Sequence, residues 1–206
     1  MEQTLIAQWL NSTFAQYDYA ILEVLHQLAV NFQGILTPFF MFISSLGAHG
    51  IGEILLGVVL LMFKKTRKMG ICVLLALVMG ALITNVVVKN LVARPRPFVD
   101  TAGIYYEWWN FVGGVQEGEF SFPSGHTTAI MAAVSAVALN SKSKYRWLLI
   151  IPVFLMGMSR NYLMVHYPSD ILGGILAGAL GAGIAYFVVN KIYSGVAKYQ
   201  KNKKEE

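Results

Sequence analysis

This chain has little charge. Only 13% of its 206 residues are Asp, Glu, Lys or Arg, against 56% hydrophobic, and a mean hydropathy of +0.55 excludes an ordinary water-soluble domain of this size. Cysteine is nearly absent: Cys72 alone, inside an apolar run, rules out an internal disulfide framework and reads as packing. The first sixteen residues lack the basic leader and small-residue cleavage site of a secretory signal, so the chain is read as mature and uncleaved. Internal repeats and low-complexity tracts are missing too.

What is there is a series of apolar runs. A helical span needs about 20 mostly apolar residues, and six segments approach or meet that length: 18–46, 46–63, 70–91, 124–140, 147–165 and 169–190. The first is irregular, interrupted by Glu23, His26, Asn31, Gln33 and Pro38. Residues 1–16 alternate Leu5, Ile6, Trp9, Leu10 and Phe14 with polar neighbours, the pattern of a short helix lying in the membrane interface. The expected fold class is therefore all-α: a single domain over 1–206, an integral membrane bundle of about six transmembrane helices with a short N-terminal interfacial helix.

Of sixteen Lys and Arg, twelve follow the second, fourth and sixth spans. That bias places those loops, and with six crossings both termini, in the cytoplasm of a multi-pass plasma-membrane protein. Four cations remain near the opposite face: Lys89, Arg94, Arg96 and Arg160. Burial at a membrane boundary makes such groups costly, so they call for a function. Arg94 is open between an interfacial anchor and a site cation.

The same face gathers other rare features: Asn90 to Pro97 reads NLVARPRP, Pro123 to His126 reads PSGH, and Ser159 to Asp170 reads SRNYLMVHYPSD. A phosphoryl group in transfer spreads negative charge over several oxygens, and arginine forks with a lysine point charge match that need. Ser124 is a natural N-cap, leaving free N–H groups at the positive end of a helix, and Gly125 admits an anion close to the backbone. Ser169 is a candidate cap of the last span. Asp170 stands four positions beyond His166, where a carboxylate can fix one imidazole nitrogen and leave the other free to attack.

Together, Lys89 with Arg96-Pro97, then Pro123-Ser124-Gly125-His126, then Ser159-Arg160 with His166 and Asp170, resemble the three signature motifs of the type 2 phosphatidic acid phosphatase (PAP2) superfamily, in order and spacing. The six-span layout resembles the bacterial phosphatidylglycerophosphatase B type. The resemblance implies that His166 attacks phosphorus and becomes a phosphohistidine, that Asp170 orients it, and that His126 protonates the leaving alkoxide and later activates water. It further implies that Lys89, Arg96, Arg160, Ser124 and Gly125 hold the phosphoryl oxygens, and the charge bias of the loops puts that site on the extracytoplasmic face. Met164 departs from the pattern, since a small residue, usually glycine, is expected two before the histidine, and a reshaped pocket is the expected consequence.

No carboxylate cluster of metal-ligand type accompanies the histidines, so no metal and no cofactor is expected. The expected partners are a lipid phosphate and the surrounding membrane lipids, with no nucleic acid and no obligate protein partner. Phosphatidylglycerol phosphate is the substrate first suggested by the resemblance, with undecaprenyl diphosphate and phosphatidic acid as alternatives. A vanadium-dependent haloperoxidase and a non-catalytic lipid phosphate binder or transporter are the readings of other classes. His26, His49, Glu23 and Glu53 are read as capping or interfacial residues, and the aromatics of loop 98–122 as a belt at headgroup level, with a substrate-guiding lid as the alternative.

Overall fold

The computed structural model describes residues 3–118 and 120–205, and the side chains of Lys204 and Glu205 lie outside what it describes. Among the described residues every regular element is a helix. The expected N-terminal helix is α1, Leu5–Thr13, started by Thr4, whose hydroxyl accepts from the Ala7 N–H at 3.1 Å. The six long segments follow as α2 (Ala15–Leu46), α3 (Ile51–Met62), α4 (Arg67–Ala81), α7 (Gly125–Asn140), α8 (Ile150–Tyr162) and α9 (Pro168–Glu205), with short α5 (Lys89–Val92) and α6 (Ile104–Phe111) in between. A π-helical stretch, Leu82–Val88, joins α4 to α5.

Three stretches are long and apolar enough to cross a membrane on their own: Ala15–Met62, Arg67–Val92 and Pro168–Lys203. Their outer faces expose large apolar side chains such as Leu176, Phe187 and Val86, as a lipid-facing surface would. Helices α7 and α8 are shorter, at 16 and 13 residues.

Inward faces are built from small residues. Gly178 lies so close to α7 that a Cβ there would sit 2.5 Å from the Thr128 carbonyl, and one on Gly181 would sit 2.7 Å from the Gly80 amide. Lipid tails offer helices no hydrophobic drive to associate, so close backbone approach and dense packing hold such a bundle together. Around these contacts Cys72, Ala76, Ala132, Ala136, Ala182 and Ala185 form one buried cluster. Gly178→Ala should therefore destabilise the protein by about 1–3 kcal/mol through overpacking, despite alanine's better helix propensity. A lowered thermal melting point in detergent is the readout, and because α7 carries PSGH at its start, activity should fall with it.

The first expected span takes a different course from a simple crossing. Near its start, Asp18 accepts hydrogen bonds from Arg94 (2.9 Å) and from the Ser169 N–H (2.8 Å). Phe32 breaks the helix (φ −136°) and Pro38 lies within its second half. That half then descends along α8, with the Thr37 and Tyr162 hydroxyls 2.8 Å apart and Ser159 donating to the Phe40 carbonyl at 2.9 Å. A turn with His49 at φ 55° and Gly50 at φ 70° passes it to α3. The front half of α2 thus stays at the end of the bundle that holds Arg94 and Ser169, and α1 docks there too, its Asn11 accepting from Arg94 at 2.8 Å. The distant part of α9 lies at the other end, where Lys68, at the start of α4, donates to Asn190. The expectation that both termini share one side rested on counting 18–46 as a full crossing. Polar anchoring by Asp18 holds the front half of that stretch at the site end.

The tryptophans of the loop are packed rather than displayed, while Phe111 remains exposed. Trp108 and Trp109 are buried in a cluster with Leu22, Val112, Tyr162 and Met164, Trp108 stacking on His26 at 4.6 Å and Trp109 on Phe98 at 4.7 Å. A belt at headgroup level does not describe them. Glu53, expected at the interface, is also buried, one carboxylate oxygen lacking a hydrogen-bond partner.

Candidate active site

Three chain turns meet at one end of the bundle. Helix α5 ends at Ala93 in the left-handed region (φ 48°), which throws Arg94 and Arg96 back across the bundle. Ser124 starts α7 as expected, accepting from the Thr127 N–H at 3.4 Å. The α8–α9 turn bends at Met164, φ 55°, a conformation that costs any residue with a Cβ and suits glycine. That is the physical reason for the small residue expected there. The Met164 side chain is fully buried in the aromatic cluster and is not among the residues lining the site cavity.

That turn delivers His166, 1% exposed. Its Nδ1 faces the Asp170 carboxylate at 3.5 Å and its Nε2 faces an Arg96 amino group at 3.3 Å. Arginine only donates, so the contact assigns the lone pair to Nε2 and the proton to Nδ1. Burial, and then the nearby Arg96 and Arg160 guanidiniums, push the imidazole pKa well below its usual 6.5. The ring is therefore held neutral with one nitrogen available.

Asp170 is itself clamped. One oxygen accepts from the Tyr167 N–H at 2.8 Å and from the Ser121 hydroxyl, and the other from Arg94 at 2.6 Å. Asp170, rather than Ser169, thus satisfies the amide at the start of α9. The Ser169 hydroxyl instead donates to Asp18 at 2.7 Å. Arg94, 1% exposed, ties Asp18 and Asp170 together and stacks over the Tyr167 ring at 3.9 Å. Burial alone would lower its pKa, but Asp170 and Asp18 raise it above the usual arginine value. An interfacial anchor would reach water; Arg94 does not, and it holds the aspartate that faces the histidine.

His166 opens on a cavity of about 1160 Å³ whose lining includes Lys89, Arg96, Glu117, Gly125 and His126. Arg160 borders it, one amino group on the Ser44 hydroxyl and the other on the Glu117 carboxylate. Ser124 is fully buried beside the cavity, its hydroxyl engaged with Thr127. All eight side chains or amides singled out from the sequence are thereby brought to one place. His49, read as interfacial, also lines the cavity, as does Asn85 from the π-helical stretch. Asp18, Ser121 and Glu117 were missed because each is a single polar residue whose importance lies in a partner far along the chain, and Asn85 because only the fold turns it to the cavity. Among the described residues no three His, Cys, Asp or Glu side chains gather as metal ligands would. Chemically, the arrangement offers an oriented neutral nucleophile, a second imidazole and a cluster of cations around one polar volume.

A family model described as the PAP2 superfamily matches residues 69–194. The chain is 34% identical over 126 residues to an undecaprenyl-diphosphatase of Sulfolobus acidocaldarius, covering 58% of this chain and 55% of that one. It therefore spans only about half of that relative. It is 31% identical over 173 residues to the undecaprenyl-diphosphatase BcrC of Bacillus subtilis, covering 82% of each. The crystal structure described as the first transmembrane PAP2-type phosphatidylglycerolphosphate phosphatase from Bacillus subtilis superposes with a TM-score of 0.66 at 27% identity, covering 91% of this chain and 92% of that one.

Proposed function

The chain belongs to the PAP2 superfamily as a membrane lipid phosphatase, and from that premise we propose that it removes the terminal phosphate of a lipid phosphate through a phosphohistidine on His166, without a metal ion. The observation that carries this reading is the geometry of His166: Nδ1 turned to Asp170, Nε2 beside Arg96, and the ring facing the cavity that His126 also lines. In this mechanism Nε2 attacks phosphorus while Lys89, Arg96, Arg160 and the Gly125 amide stabilise the charge spreading over the phosphoryl oxygens. Ser124 completes the helix end behind them. His126 protonates the departing alkoxide or phosphate and then takes a proton from the water that hydrolyses the phosphoenzyme.

The two curated relatives shift the weight on substrate from phosphatidylglycerol phosphate to undecaprenyl diphosphate. Phosphatidylglycerol phosphate is kept as the second reading because the full-length fold match carries that name. Phosphate release from undecaprenyl diphosphate, phosphatidylglycerol phosphate and phosphatidic acid, compared in one detergent with and without EDTA, tests both statements. The highest kcat/KM should belong to the diphosphate and should survive chelation. Loss restored by added magnesium would sink the metal-free route.

The depressed pKa of His166 sets a sign for pH dependence. Protonation removes the attacking lone pair, so a lowered pKa keeps the neutral, reactive form as pH falls through 6.5. Single-turnover phosphoenzyme formation from an aryl phosphate, followed between about pH 5 and 8, should show its acid limb well below 6.5. A midpoint at the ordinary histidine value would place the nucleophile elsewhere.

For orientation, the site end, carrying α1, is proposed to face the outside and the basic loops the cytoplasm. With buried Cys72 replaced by alanine, cysteines at Ser12 and Thr101 should react with an impermeant thiol reagent in intact cells, and one at Ser143 should not. Protection at Ser12 with labelling at Thr101 would separate α1 from the site.

A further inference from the structure

The cations of the site already hold an anion of the protein's own. Glu117, on the loop between α6 and α7, pairs with Arg160 and lies 3.7 Å from Arg96. The next residue, Gly118, gives its carbonyl to the Arg96 Nε at 3.2 Å and to an amino group at 2.9 Å. Both guanidiniums are almost wholly buried, whereas the Glu117 side chain is 23% exposed and lines the cavity with His126 and His166. Burial would raise the Glu117 pKa, but Arg160 and Arg96 hold it below the usual glutamate value, so it remains an anion. The pairing is also incomplete: the buried Arg160 Nε has no hydrogen-bond partner.

Resting on the phosphatase reading, we propose that Glu117 is a specificity-determining residue: a tethered carboxylate that occupies the arginine pair in the empty site and yields it only to a terminal phosphate. A terminal phosphate carries a charge of about −1.5 to −2 and three strong acceptor oxygens. It offers the two arginines more charge than the carboxylate it displaces, and one oxygen more for the unused Nε donor. A phosphodiester carries a single charge spread over two non-bridging oxygens, as a carboxylate does. It gains nothing by the exchange and must also compete with a group held in place by the chain, at an effective concentration on the order of millimolar or above. Common bilayer phospholipids are phosphodiesters and surround the protein at high local concentration. Without such a competitor, a cation cluster open to the membrane would be filled by headgroups it cannot hydrolyse.

The test is direct binding to the purified full chain in detergent, by calorimetry, with inorganic phosphate and dioctanoyl phosphatidylglycerol as probes. Wild type should bind phosphate and leave the diester unbound. Glu117→Gln and Glu117→Ala should bind phosphate tighter by about tenfold or more, as expected when a like charge is removed beside a bound anion, and should acquire measurable affinity for the diester. Equal or weaker phosphate binding in both variants overturns the proposal, and so does a wild type that binds diester as well as phosphate, a result that needs no variant to fold. Phosphate release from undecaprenyl diphosphate, phosphatidylglycerol phosphate and phosphatidic acid by the wild type is measured alongside. Its absence with all three would overturn the phosphatase reading itself, whereas turnover with unchanged probe affinities overturns only the role of Glu117.

Discussion

His166→Ala should form no phosphoenzyme with any substrate, whereas His126→Ala should accumulate one. If His126 protonates the leaving group, its loss matters most for a lipid alkoxide, a poor leaving group, and least for an aryl phosphate. The first step of His126→Ala should thus be crippled on phosphatidic acid and partly restored on the aryl ester, with the second step slow because water lacks its base. His166→Ala, having no nucleophile, gains nothing from the better leaving group. Loss of the general acid His126 should lower turnover on the lipid by about 10²–10⁴-fold. Rapid quench of labelled substrate into alkali, where phosphohistidine survives, should show an adduct in the first-step-competent variant only. An adduct on His166→Ala, or one mapped to His126, would reverse the two roles.

Arg94→Met should be the most destabilising single change around the site. Arg94 lies between Asp18 and Asp170, at 2.9 and 2.6 Å, with all three side chains at 2% exposure or less. Removing the cation leaves two buried carboxylates facing a hydrocarbon stem, a loss of about 3–5 kcal/mol by analogy with other broken buried pairs. Adding Asp18→Asn removes one of those charges, so the double variant should recover part of the melting temperature, a coupling that two independent sites would not show. Activity should stay low in both, because Asp170 has lost the arginine that holds its second oxygen. Full recovery of activity in the double variant would mean that Arg94 serves stability alone.

Motif residues were legible because the chemistry of a phosphoryl site demands rare residue types, and rare types stand out in an apolar chain. Lys89, Arg96, His126, Arg160, His166 and Asp170 are, with Arg94, the charged and imidazole side chains of their stretches, and the structure gathers them around one cavity. Arg94 was equally visible, but its direction was not. An arginine two residues from another can turn to the opposite side of a loop, and only the positions of Asp18 and Asp170 decide which way it points. Glu117 was invisible for a related reason: in a loop with no periodicity, nothing local says that a glutamate reaches a helix 43 residues further on.

Membrane residence, the helical class and the candidate site residues follow from composition, run length and residue chemistry, all of which are local properties. Tertiary structure alone decided three things. It turned the front of α2 into a segment anchored at the site end, since Asp18 finds its cation 76 residues away. It packed the loop tryptophans against α2 and the α8–α9 turn, because a large ring is buried wherever the fold leaves a matching surface, and sequence does not mark that surface. It also set Glu117 between Arg96 and Arg160. Charges in a dry interior must be paired, yet the choice of partner depends on which backbones the fold brings within a side chain's reach.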